Sequence, residues 1–189
     1  MFNDAYGLTQ ATIEGRKKNT RRAEFTAEEQ QVLNEADDVY MDGDYVVAHF
    51  DSVEDVRFGT RYKLGEVVAV AQSYAAIPGL GNMADTSGWR NKMFTKAEMM
   101  PFRIRITGIR VERLQDISDE DCIKEGVRVV LPDFAIQPTL YEVAGLMWAT
   151  PRQAFAALID KVSGRGTWAS NPWVVAYEYK LVKQQNSRI

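Results

Sequence analysis

Residues 102–114 read Phe102-Arg103-Ile104-Arg105-Ile106-Thr107-Gly108-Ile109-Arg110-Val111-Glu112-Arg113-Leu114. Phe102, Ile104 and Ile106 alternate with Arg103, Arg105 and Thr107, the period of a half-buried strand. At Gly108 the parity changes, and Ile109 and Val111 carry the apolar series onward. A single register through that point would turn half of the apolar side chains to solvent. One extra residue at Thr107-Gly108, a β-bulge, restores the face. A long strand bent by a bulge is what a small closed barrel uses, and a barrel is the expectation here.

On the N-terminal side, Leu8 to Gly15 reads as a short helix stopped by glycine. Asn19 to Phe25 reads as a strand with a basic face. Thr26-Ala27-Glu28-Glu29 is a capping box that opens a helix over about 27–38. Asp42-Gly43 marks a turn before a strand over 45–50, which pairs with the stretch near 56–62. Gly65-Glu66 opens a further apolar strand, and 75–88 reads as a long loop. On the C-terminal side, Ser118 caps a short helix that ends at Gly126. Residues 131–146 read as an irregular insertion. Thr150-Pro151-Arg152-Gln153 starts a longer helix, and Asn171-Pro172 precedes a final strand, WVVAYEYKLV. No strand–helix–strand repeat calls for a doubly wound sheet. The expected class is α+β: a mixed β-barrel flanked by short helices. It forms one domain over 1–189, with insertions at about 23–56 and 131–146.

Composition excludes several chemistries. The 189 residues include one cysteine, Cys122, and one histidine, His49. No intrachain disulfide can form, and these two residues alone do not make the usual zinc site. A serine–histidine–acid triad would have to use His49. No apolar run approaches the length of a membrane span, and the opening MFNDAYGLTQ lacks the pattern of a secretory signal. A cytoplasmic protein without a membrane partner is expected. Net charge is −3, which argues against a broadly basic surface but not against a local basic cleft.

The charges are segregated. Residues 14–22 read EGRKKNTRR, with Arg16, Lys17, Lys18, Arg21 and Arg22 close together. Residues 23–56 contain no lysine or arginine and carry eleven acids. Basic residues return at Arg57, Arg61 and Lys63, at Arg90, Lys92 and Lys96, and along Arg103, Arg105, Arg110 and Arg113. Convergence of these clusters would make one positive groove in an acidic molecule. Trp89, beside Arg90 and Lys92, is the best placed aromatic for stacking on a base.

The run Gly15-Arg16-Lys17-Lys18-Asn19-Thr20-Arg21-Arg22 resembles the G-x-K-x-x-x-x-R signature of the ASCH family, relatives of the PUA-like RNA-binding barrels. The stretch 110–126 resembles the strand and short helix of phage and bacterial members. Phe155-x-x-Leu158-Ile159-Asp160, Gly166-x-Trp168 and Asn171-Pro172 resemble the closing helix and strand. The resemblance implies a PUA-like barrel with a cleft beside the signature, binding RNA or a modified nucleoside. Some small ASCH enzymes are amidohydrolases that deacetylate N4-acetylcytidine. Their lysine, threonine and glutamate match Lys17, Thr20 and Glu125, and the signature arginine matches Arg22. No metal or organic cofactor is implied.

Two functions of different class follow. The first is an RNA or modified-nucleoside binding module, using Gly15, Arg21, Arg22, Trp89, Arg90, Lys92, Arg103 and Arg105 around a basic cleft. The second is an amidohydrolase of N4-acetylcytidine-like nucleosides. Thr20 would be its nucleophile, Lys17 the proton acceptor and Glu125 the orienting acid. A glutamate close to Lys17 would favour the charged lysine, which opposes its use as a base.

Overall fold

The computed structural model describes residues 6–77, 90–131 and 139–183. In chain order its elements are α1 (Leu8–Ile13), β1 (Asn19–Arg22), α2 (Ala27–Glu35), β2 (Asp38–Asp42), β3 (Tyr45–His49), β4 (Val56–Gly59), β5 (Val67–Ala69), β6 (Phe102–Arg113), α3 (Asp119–Lys124), β7 (Arg128–Val130), β8 (Leu140–Val143), β9 (Leu146–Trp148), α4 (Pro151–Ser163), α5 (Thr167–Ser170) and β10 (Trp173–Lys183).

The strands of the described residues form three open sheets with the orders β1-β10-β6-β5, β2-β3-β4 and β7-β8-β9. Every pairing among the described residues is antiparallel. The bulge is where the alternation places it: Glu178 pairs with Gly108 and Tyr179 with Ile106, so Thr107 is the extra residue. Ile104 and Ile106 on one side of it, and Ile109 and Val111 on the other, therefore face the same way. The closed PUA-like barrel does not form. Closure needs the outer strands of a sheet to meet. Here β1 has four residues, β5 has three, and each is hydrogen-bonded on one side only. The bulge repairs the register of β6 without bringing those edges together. The molecule is α+β with open sheets.

Capping explains the helix starts. The Thr26 hydroxyl accepts from the Glu29 amide at 3.2 Å, and the Glu29 carboxylate accepts from the Thr26 amide at 2.7 Å. The Ser118 and Thr150 hydroxyls accept from the Asp121 and Gln153 amides and so cap α3 and α4, without the reciprocal side-chain bond. Helix α4 has its first-turn proline and buries Ala154, Phe155, Leu158 and Ile159. One core joins these residues to Ile104, Ile106, Val174, Val175 and Tyr177 of the four-stranded sheet. Leu33, Val46 and Ala48 from the acidic stretch belong to the same core, as does Val143. The acidic stretch thus folds as α2 with β2 and β3, and its acids lie mostly on the outer faces. The apolar strand expected after Gly65-Glu66 is short, pairing with β6 only over Val67–Ala69. Trp89, the proposed stacking residue, lies outside the described residues, as do 132–138 of the second insertion. No described helix is long and apolar enough to cross a membrane.

Candidate functional site

The site is built around the turn between α1 and β1. Gly15 takes a left-handed φ of +74°, and the amides of Arg16 and Lys17 both donate to the Ala11 carbonyl at 2.9 Å. That turn sends Arg16 and Lys18 to solvent and buries Lys17. The Lys18 amide donates to the Lys124 carbonyl at 2.8 Å, and its carbonyl accepts from the Tyr179 amide at 2.9 Å. The C-terminus of α3 is thereby held against the edge of the sheet. Gly126 makes the approach possible. Its φ is +110°, and a Cβ there would lie 3.1 Å from Leu8 Cδ2 and 3.6 Å from Lys17 Cδ.

A chain of buried ion pairs follows. Lys17 Nζ donates to the Asn19 carbonyl at 2.8 Å, the Glu125 carbonyl at 2.8 Å and Glu125 Oε2 at 2.6 Å. All three ammonium protons are thus engaged. The last carbonyls of a helix carry partial negative charge, so a lysine suits that end of α3 and an unpaired glutamate would not. Glu125 tolerates the position because Arg21 Nη1 donates to its Oε1 at 3.0 Å. Arg21 also donates to Asp121 Oδ2 at 3.0 Å and Glu112 Oε1 at 2.6 Å. Arg110 joins Glu112 at 2.7 Å, Glu178 at 2.6 Å, and Asp121.

The register explains the convergence. Arg21 and Arg110 both sit across from Ala176, so they share a face of the sheet. The electrostatics hold the carboxylates of the cluster in their charged form. Burial alone would raise the Glu125 carboxyl, but Lys17 and Arg21 beside it hold it below the ordinary range. Burial raises Asp121 as well, and Arg21 and Arg110 more than offset it. Burial pushes Lys17 below the usual lysine value against the opposing pull of Glu125.

Beside this cluster, along β1, lies a cavity of about 440 Å³. Its polar wall includes Lys17, Thr20, Arg22, Glu24 and Glu125, and its apolar wall Phe155, Leu158 and Ile159. Arg61 stands at it too. Thr20 and Arg22 alternate along β1 and share a face, and both also border a small crevice of about 30 Å³ beside Ile104 and Ile106. The Thr20 hydroxyl makes no hydrogen bond among the described residues. Arg22 Nε is buried without a partner. Neither the Arg22 nor the Arg61 side chain pairs with a carboxylate among the described residues.

The structure therefore brings Lys17, Thr20, Arg21, Arg22 and Glu125 to one place. Gly15 acts through the turn. Arg103 and Arg105 lie apart from the cavity, across from Ala69 and Val67 of β5. Arg90 and Lys92, in the approach to β6, do not line it either. The expected single positive groove is instead a mixed cluster, because Arg21 and Arg110 converge on carboxylates. Glu24, Glu112, Asp121 and Glu178 are the participants that sequence reasoning missed; Arg61 was noted only as a member of a basic cluster. The alternation Thr20, Arg22, Glu24 was a signal for the first of them. Cys122 is fully buried, and burial pushes its thiol up to about 12, which removes it from nucleophilic chemistry. Among the described residues no cluster of histidine, cysteine, aspartate or glutamate is arranged to hold a metal ion.

No family model, no curated protein and no solved structure matches the chain. Together with the open sheets, this overturns membership of the ASCH family and of the PUA-like barrels. The eight-residue run Gly15–Arg22 is accounted for locally, by a glycine turn and an ion-pair cluster.

Proposed function

We propose that the chain is a binding module for a nucleotide unit of RNA or a modified nucleoside, held in the cavity beside β1. One observation carries this reading: Arg22 and Arg61 are cations without a carboxylate partner at a cavity whose other wall is apolar. The volume falls in the range of small-molecule sites. The apolar wall suits a base or its substituent. The two arginines suit a carbonyl, ribose or phosphate oxygen.

The test is calorimetric titration with nucleosides, nucleoside monophosphates and short single-stranded RNA at several salt concentrations. One phosphate-directed arginine, Arg61, gives an expected slope of log K against log salt of about −0.7 for a single strand. Arg22→Ala weakens binding about tenfold or more, with the melting temperature retained. Unchanged affinity in Arg22→Ala, or no binding by the parent, refutes the reading.

The convergence of Lys17, Thr20 and Glu125 on the same cavity favours a second reading, hydrolysis of an acylated pyrimidine nucleoside. Thr20 would attack the acyl carbon, and its free hydroxyl suits that role. The unliganded geometry weighs against it. Thr20 has no base hydrogen-bonded to it, and all three protons of Lys17 are already donated. N4-acetylcytidine turnover by the parent, abolished in Thr20→Ala, would promote this reading over the first.

A further inference from the structure

Glu24 follows β1 by two residues and lines the cavity. Its Oε1 accepts from the Tyr177 hydroxyl at 2.6 Å and from the Arg61 amide at 3.2 Å. Tyr177 lies directly across from Thr20 and is fully buried. Burial first, and then the neighbouring Glu24, raise its phenol well above the ordinary tyrosine value. The phenol therefore stays protonated and donates. The Tyr62 ring packs edge-on against the Tyr177 ring at 5.2 Å, which holds the phenol in place. One oxygen of the carboxylate is thus fixed from two sides. The other, Oε2, is buried with no hydrogen-bond partner among the described residues. A buried carboxylate oxygen without a donor is costly and uncommon. The nearest strand neighbour facing the cavity, Arg22, carries the complementary defect: a buried Nε donor without an acceptor.

We propose that Glu24 and Arg22 form an acceptor–donor pair that reads the amide-like edge of a nucleobase. Glu24 Oε2 takes a ligand N–H, and the Arg22 guanidinium donates to an adjacent carbonyl or ring nitrogen. This rests on the nucleoside reading of the cavity and adds to it the class of group recognised. The preferred ligand is a base with an N–H donor beside an acceptor, as cytosine and uracil both have. A base whose N–H groups are all methylated leaves the carboxylate oxygen unpaired and is rejected. Hydrogen bonds to charged groups are worth roughly tenfold to a hundredfold in affinity, so the methylated analogues are weakened by at least about tenfold.

The experiment measures binding of cytidine against N4,N4-dimethylcytidine, and of uridine against N3-methyluridine, with 2′-deoxycytidine as a ribose control. The parent discriminates by at least about tenfold within each methylated pair and accepts the deoxy analogue. In Glu24→Gln the acceptor at Oε2 is replaced by an NH₂ donor, and the penalty for methylation falls below about threefold. A penalty that persists in Glu24→Gln is steric and overturns the proposal. Loss confined to the deoxy analogue also overturns it, because the donor then belongs to the ribose. Should Glu24→Gln not fold, Tyr177→Phe decides. It removes the hydroxyl that aims the carboxylate and that accepts from the Arg61 and Tyr62 amides, and it must reduce the discrimination between each base and its methylated analogue. Binding without discrimination refutes the role of Glu24 and leaves the cavity reading standing. No binding of any nucleoside or nucleotide removes both.

Discussion

The Lys17–Glu125 pair is the strongest single test of how the site is built. Its side chains are 3% and 5% exposed and 2.6 Å apart. Lys17→Met keeps the apolar stem and removes the charge. Glu125 then retains Arg21 at Oε1 but loses its donor at Oε2. Glu125→Gln keeps the shape and leaves a buried ammonium facing two carbonyls and an amide. Breaking a buried pair from one side costs about 3–5 kcal/mol. Because Arg21 remains beside Glu125, the lower end, about 3 kcal/mol, applies to Lys17→Met; Glu125→Gln leaves Lys17 facing the like charges of Arg21 and Arg22 and costs at least as much. For a chain of this size each kcal/mol shifts the melting temperature by about 2–4 °C, so Lys17→Met melts roughly 6–12 °C lower and Glu125→Gln by no less. The double variant has no unpaired charge at that point. Its loss falls short of the sum of the singles by at least about 1.5 kcal/mol, as expected of residues in direct contact. Urea unfolding at pH 7, followed by tryptophan fluorescence, completes the cycle. Additivity within about 0.5 kcal/mol would show that the pair is not coupled and refute the reasoning.

Three other outcomes follow from the same structure. The carboxyls of Glu125 and Asp121 are held below their ordinary values of 4.5 and 3.8, so their stabilisation is present above those values and is lost as pH falls through the folded-state titration. The unfolding midpoint therefore drops as pH falls below about 4.5, and the drop is shallower in Glu125→Gln. His49, the single histidine, donates from Nδ1 to Asp55 Oδ1 at 2.8 Å, and that contact raises its titration above 6.5. Any stability it adds is present below 6.5 and lost as pH rises through the folded value. The midpoint of its imidazole titration in proton NMR shifts back toward 6.5 in Asp55→Asn. Gly126→Ala combines a forbidden φ of +110° with a Cβ 3.1 Å from Leu8 Cδ2. It destabilises by about 1–3 kcal/mol, and an unchanged melting temperature would contradict the packing described between α3 and α1.

Local chemistry was legible wherever one short pattern decides one element. The parity change at Gly108, the capping box at Thr26 and the Thr150-Pro151 helix start all give the elements read from them. The shape of the sheets was not legible. A bulge specifies register within a strand pair, whereas closure depends on whether β1 and β5 meet, and neither is long enough to signal its partner. β2 was missed because Asp38, Tyr40 and Asp42 alternate with Val39 and Met41 on a sheet with one wet face, where acids disguise the period. β8 and β9 were missed because three- and four-residue strands carry too few positions to show alternation. For the site, Lys17, Thr20 and Glu125 were singled out together, and they do line one cavity. Their grouping came from a resemblance that the fold overturns. What unites them physically is the turn at Gly15, the close approach at Gly126 and the end of α3. The acids of the cluster were invisible for a different reason: Glu112, Asp121 and Glu178 come from three elements, and only the register brings them to one face.

The basic run also illustrates why charge in a sequence is a poor measure of charge at a site. Arg16 is paired with Glu14 at 2.6 Å, Lys17 with Glu125, and Arg21 with three carboxylates. Lys18 points to solvent next to the α3 end. Of the five cations in that run, only Arg22 reaches the cavity without a carboxylate partner, and Arg61 joins it from beyond β4. Buried pairs of this kind are poor sources of long-range attraction, because each cation's field is cancelled by its neighbour at contact distance. Nonspecific affinity for a polyanion therefore has little to draw on in this region, in keeping with the net charge of −3. On the nucleoside reading proposed above, affinity would come from what fits the cavity: an apolar contact with Phe155 and Leu158, bonds from Arg22 and Arg61, and a donor for Glu24. A site of that kind would select among single bases more sharply than it distinguished a long strand from a short one.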